Sequence, residues 1–223
     1  MMILSILTYI VLFIAYLRGI LYVIKVFGKK PRREIYLEGI DAKGTLLLSV
    51  CDAVLFRRLF RVNRLLWFGE WLFHISFLMV VLSHLRFILT FLPRWWSHIV
   101  CMGKYAGWTM TLSMVYILVV RVSVDYRRYI SPSNLLLIAL IFFTGLSGLF
   151  MRYVFRVDVL SVKAFMLQLF ALSSVEFPQY RLLLFHYLMA MIILLYLPSH
   201  ILTAPITIKE ARRRQRQLTG RLL

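Results

Sequence analysis

Five histidines carry most of the chemistry available to this 223-residue chain: His74, His84, His98, His186 and His200. Imidazole titrates near neutrality and is the commonest protein ligand for metals. His74 and His84 stand in "FHISFLMVVLSH" (residues 73–84), and His186 and His200 close the stretch "HYLMAMIILLYLPSH" (residues 186–200). Both stretches are otherwise almost wholly apolar. An ionisable side chain at membrane depth is expensive and marks function by default. A single such histidine is as readily explained as polar glue between helices. Two pairs on two segments are harder to explain that way.

Helical geometry sharpens the pattern. His74 and His84 lie about 15 Å apart along a helix and roughly 80° apart around it. His186 and His200 lie about 21 Å and roughly 40° apart by the same arithmetic. Each pair faces broadly one way, at two depths.

The elements that must position these rings are membrane spans. The chain is 61% hydrophobic with a mean hydropathy of +0.82, where a soluble domain is about half apolar. A helix needs about 20 apolar residues to cross the hydrocarbon. Five runs meet that length: 3–27, 67–92, 105–122, 134–153 and 181–204. The expected fold is an all-α integral membrane protein, a single membrane domain over 1–223 with five transmembrane helices in a bundle. The first run has no basic n-region and no small-residue cleavage site, so it reads as an uncleaved span.

Charge sets the expected orientation. The net charge of +18 suits nucleic acid, but in a membrane protein it reads as topology, and no nucleic-acid partner is expected. Of the 27 Lys and Arg, 19 fall between spans one and two, between spans three and four, or in the tail. Another 7 fall on the opposite side, and Arg18 lies within the first span. The 19-rich side is then cytoplasmic, with the N-terminus outside and the C-terminus inside. Residues 28–66 form a cytoplasmic loop, and 205–223 a basic cytoplasmic tail. Within that loop, 45–64 mixes apolar and Arg residues and reads as a surface helix or a short re-entrant piece. The outer segment 157–177 reads the same way, or as a lid. Cys51 and Cys101 fall on opposite sides and form neither a disulfide nor a covalent haem motif.

Topology matches the histidines by depth. Span two runs inside to outside and span five the reverse, so His84 pairs with His186 and His74 with His200. Two imidazoles between two helices suit b-type haem, with one axial ring on each face. Zinc would want three or four converging ligands. A proton relay or transporter would want carboxylates at similar depth, and these two spans offer only Glu70. Two haems at two depths make an electron path across the bilayer. Haem propionates are anionic and Arg binds carboxylates in a two-pronged grip. Arg18 is expected near the inner haem, and Arg86 and Arg181 near the outer one, with interfacial snorkelling the competing role for Arg86. Gly145 and Gly148 on span four either admit a porphyrin edge or serve ordinary helix packing.

These segments resemble a known family. "WLFHISFLMVVLSHLRFILTFLPRWW" is similar to the second span of the gamma subunit of respiratory nitrate reductase, where two haem-ligating histidines stand ten residues apart with a Pro shortly after. "VDYRRYISPSNLLLIALIFFTGLSGLF" resembles its third-to-fourth connection and fourth span. "RLLLFHYLMAMIILLYLPSHILTAPI" resembles its fifth span. The likeness covers roughly residues 67–205. The superfamily includes the cytochrome b subunits of the sulfite-reduction-associated (Dsr) membrane complex and of membrane-bound heterodisulfide reductase. Two departures stand out. The spacing from His186 to His200 is about one helical turn shorter than in the nitrate-reductase subunit. The first cytoplasmic loop is also longer. Both point to the Dsr or heterodisulfide-reductase branch.

The resemblance implies a di-haem b subunit of a respiratory complex in the cytoplasmic (inner) membrane of a prokaryote. By that likeness a quinol, such as menaquinol, is oxidised near the outer haem, and its electrons pass inward to a cytoplasmic iron–sulfur subunit. Further membrane and periplasmic subunits are compatible with it. The quinol site is expected under the loop 93–104 or the segment 157–177. Lys104 matches a family Lys on the outer side before span three, and His98 is a candidate acceptor of a quinol proton. The competing reading of both is a solvated interfacial loop residue. The alternative function is a haem-free anchor that tethers a catalytic subunit.

Overall fold

The computed structural model describes residues 2–27, 52, 54–129, 132–173 and 176–198. Among these the secondary structure is helical. In chain order the helices are α1 (Met2–Phe27), α2 (Arg57–Val62), α3 (Arg64–His84), α4 (Trp96–Tyr129), α5 (Pro132–Tyr153), α6 (Val159–Phe170) and α7 (Arg181–Pro198). A short 3-10 turn, Leu85–Phe87, follows α3. Helices α1, α3, α4, α5 and α7 are each long and apolar enough to cross a membrane. The protein is therefore an all-α, multi-pass membrane protein, as the five apolar runs require.

Three boundaries differ from the sequence expectation. Helix α3 stops at His84 rather than continuing to residue 92. Pro93 lies just beyond; it lacks an N–H and disfavours helix in the residue before it. Helix α4 starts at Trp96, inside the expected loop 93–104, and runs 34 residues to Tyr129. Hydropathy registers only its apolar middle and misses polar ends that are equally helical. His98, Lys104 and Arg121 are thus helix residues, not loop residues. The segment 157–177 does contain a helix, α6, but at 12 residues it is too short to span. Within 45–64 the described residues include the short helix α2, and much of the loop 28–66 lies outside the described residues.

Local chemistry explains where elements begin. Pro132 opens α5 at its first position, where a missing N–H costs nothing. Asp158 caps α6, accepting hydrogen bonds from the backbone N–H groups of Leu160 and Ser161, both at 3.0 Å. Those bonds favour the charged carboxylate and hold Asp158 below the usual carboxylate range. Leu172, in the left-handed region at φ 56, turns the chain away after α6.

The contacts group into two units, Met1–Val11 with Leu65–Ile193, and Leu12–Arg64 with Leu194–Leu223. In the first unit, small residues let the helices approach, as apolar association in lipid requires. Gly69 of α3 faces Tyr116 and Ile117 of α4, and Gly103 of α4 faces Ser83 of α3. Gly107 of α4 faces Leu149 of α5. A Cβ at Gly103 would stand 2.6 Å from the Ser83 Cβ. Gly103→Val is accordingly expected to cost about 1–3 kcal/mol by overpacking. Denaturant titration of the detergent-solubilised protein would measure it, and Ser83→Gly in the same chain should recover part of the loss.

Buried hydroxyls satisfy themselves locally, as they must without water. Thr111 donates to the Gly107 carbonyl at 2.9 Å and Ser113 to that of Met110 at 2.8 Å. Ser76 donates to the Leu72 carbonyl at 2.7 Å. The start of α1 is tied to α6 and α7. The Thr8 hydroxyl pairs with that of Tyr187 at 2.8 Å, and the Tyr9 hydroxyl donates to the Leu169 carbonyl at 2.7 Å. Around them Phe165, Leu169 and Tyr187 form a buried cluster. In the second unit, the later half of α1 and the end of α7 line an apolar groove that includes Gly19, Leu194 and Pro198.

Candidate metal centre

Helix α3 carries His84 at its last position, and α7 carries His186 in its second turn. Their ring centroids are 6.4 Å apart and their planes differ by 12°. Two imidazoles on opposite sides of one metal, with metal–nitrogen bonds of about 2.0 Å, place their centroids about 6.3 Å apart. The observed spacing matches that of such a pair, and it is wider than face-to-face stacking would need. His84 and His186, expected to pair, lie beside each other.

Each ring is oriented by its other nitrogen. His84 Nδ1 donates to the Val80 carbonyl at 2.7 Å, one turn earlier on α3. His186 Nδ1 donates to the Thr144 carbonyl of α5 at 3.0 Å and lies 3.0 Å from the Ser147 hydroxyl oxygen. The Ser147 hydroxyl in turn donates to the Thr144 carbonyl at 2.9 Å. With that proton committed, the Ser147 oxygen accepts from His186. Both histidines therefore hold their proton on Nδ1 and present Nε2 unprotonated, the tautomer a metal requires.

Helix α5 is built to receive the His186 ring. A Cβ at Gly148 would lie 3.3 Å from His186 Cε1, so this glycine makes room for the imidazole. Gly145 instead packs against Thr111 and Met110 of α4, where a Cβ would collide with the Thr111 hydroxyl oxygen. Of the two glycines, Gly148 belongs to the candidate site and Gly145 to helix packing.

Of the second expected pair, His74 and His200, only His74 is described. His74 is half-buried, and its Nδ1 donates to the Glu70 carbonyl at 2.6 Å, the same one-turn bond that His84 makes. His200 lies outside the described residues. Beside His74, the Glu70 carboxylate accepts from Arg121 of α4 at 2.5 Å. This ion pair escapes sequence reading, because Arg121 falls where hydropathy suggests a connection.

The remaining candidates scatter. Arg86 is half-buried beyond His84, its guanidinium 4.7 Å from the Phe87 ring centroid. Arg181 opens α7 and is exposed, and Arg18 is exposed on α1. His98 and Lys104 are exposed on the first turns of α4. Neither lines the cavity of about 440 Å³ beside α6, which is walled by Phe165, Gln168, Glu176, Phe177 and Gln179. Phe165 and Phe177 meet the ring of Tyr187 at centroid distances of 5.8 and 5.7 Å, one residue from His186. Cys101 is a free, exposed thiol.

The donor set fits haem better than a bare ion. Among the described residues no group of three or more His, Cys, Asp or Glu converges on a point, as a structural zinc would require. Two neighbouring imidazoles with fixed tautomers would supply the axial ligands of a six-coordinate haem. No family model matches the chain, no curated protein matches it, and no solved structure matches it.

Proposed function

We propose that the protein is the di-haem cytochrome b subunit of a respiratory complex in a prokaryotic cytoplasmic membrane. It oxidises a quinol on its outer side and passes electrons inward to a cytoplasmic iron–sulfur partner. The observation that carries this reading is the His84–His186 pair, with its axial-ligand spacing and fixed tautomers. When bound, haem supplies a one-electron couple, and the protein supplies position and a tuned environment. His84 and His186 hold the outer group. His74 and His200 hold the inner one, and its electrons leave on the side where the basic loop and tail attract an acidic partner. The resemblance to the nitrate-reductase gamma subunit and its Dsr and heterodisulfide-reductase relatives supports the same assignment.

The α6 cavity is the better quinol location of the two expected. It has aromatic walls for a ring and amide and carboxylate groups at its edge for hydroxyls. On the outer side Asp158 is committed as a helix cap, which leaves Glu176 as the carboxylate placed to accept a proton. Exposed His98 and Lys104 then remain surface residues of α4.

The test is spectroscopic. Purified protein made under haem-replete conditions should show a reduced b-type α-band and two haems per chain by pyridine haemochrome. Folded protein with no haem would discard this function and leave a membrane anchor.

A further inference from the structure

Beyond His84 the structure gathers two cations. The Arg86 Nε is closed off from the surface and has no hydrogen-bond partner. Neither Arg86 nor Arg152 has a carboxylate within ion-pair distance among the described residues, where the ion pairs centre on Glu70. A buried donor left unmade is costly, and more so on a charged group. The exposed Arg152 is near enough for its charge to bear on Arg86, as the Arg86 charge bears on His84.

The helical period explains how Arg152 arrives there. Thr144, Gly148 and Arg152 are spaced by four and share one face of α5. Thr144 and Gly148 both meet His186. Arg152 therefore stands one turn beyond the His186 contact, on the same face. The two helix ends that frame the histidine pair each contribute one arginine. Like charges placed together at the border of a low-dielectric layer call for an anion between them.

We propose that Arg86 and Arg152 form a clamp for paired anionic oxygens, filled by the two propionate carboxylates of the haem held by His84 and His186. This rests on the haem reading above and adds Arg152 to the site. Guanidinium grips carboxylate through two parallel hydrogen bonds, and it grips phosphate the same way. A phospholipid headgroup shares that chemistry, so the experiment must separate the two sources.

The experiment is a potentiometric titration of the purified protein, with phospholipid phosphorus counted on the same samples. The variants are Arg86→Gln, Arg152→Gln and Arg152→Lys. Helix content and haem count serve as the folding controls. Either Gln variant should lower the midpoint potential of one haem and leave the other unchanged, because an unneutralised propionate stabilises ferric iron. Retention of that haem should weaken on the order of tenfold to a hundredfold, as for a lost charge-assisted bond. Arg152→Lys should restore much of the potential by keeping the charge. A merely structural role for Arg152 would not follow charge in this way. Unchanged potentials with loss of bound phospholipid would overturn the propionate assignment and give the clamp to a headgroup. Unchanged potentials with unchanged phospholipid would overturn the clamp while leaving the haem reading intact. Wild-type protein without haem would sink the haem reading itself, and with it the propionate assignment.

Discussion

His186→Ala is expected to remove one of the two b haems proposed above and to leave the other. The expected result is a halved pyridine haemochrome count, with the surviving haem still fully reducible by dithionite. The physical reason is that His186 has no local substitute. Its neighbours at the site, Thr144, Ser147 and Gly148, offer a carbonyl, a hydroxyl and a space, none of which ligates haem iron well. His84→Ala should remove the same haem, because the two rings form one pair. His74→Ala should remove the other. Loss of different haems in the His84 and His186 variants would disprove the pairing. Ser147→Ala provides a control for overall packing: the Thr144 carbonyl still accepts the Nδ1 proton, so the haem should remain.

The second large effect lies at the Glu70–Arg121 ion pair between α3 and α4. Both side chains are mostly shielded, at 15% and 19% exposure. Removing one partner of a buried pair leaves an uncompensated charge and costs about 3–5 kcal/mol. Arg121→Leu or Glu70→Gln should each destabilise the detergent-solubilised protein by about that much, measured by SDS-titration unfolding. The double variant Glu70→Gln with Arg121→Leu should recover most of the loss, since no lone charge remains. Single variants that lose only a few tenths of a kcal/mol would show a solvated surface pair instead. His74 should keep its orientation throughout, because it is the backbone carbonyl of Glu70 that accepts its proton. The destabilisation and the ligand geometry are therefore separable.

How much of this was legible in the chain follows from the range of each interaction. The five apolar helices and the alignment of His84 with His186 rest on periodicity and length, which are local properties. The His84 tether is equally local, since Val80 is one turn away. The His186 tether is not, because its partners stand on another helix, 39 and 42 residues away in sequence. A serine between two glycines on an apolar helix reads as a packing residue until the facing helix is known. Gly145 and Gly148 were indistinguishable for the same reason. Three residues apart, they point in directions roughly 60° different, enough for one to meet α4 and the other α7. The α4 boundary was missed because hydropathy measures affinity for lipid, whereas helix continues wherever nothing breaks it.

That length has a mechanical meaning. At about 1.5 Å per residue, the 34 residues of α4 make a rod of about 51 Å, set in a hydrocarbon layer about 30 Å thick. Tilt absorbs only part of the difference. The rod must stand out of the bilayer, and it has no proline along its length to act as a joint. A small change of angle where it meets its neighbours through Gly69, Gly103 and Gly145 becomes a larger displacement at its far end. A protein resting on that end would feel the bundle as the short arm of a lever.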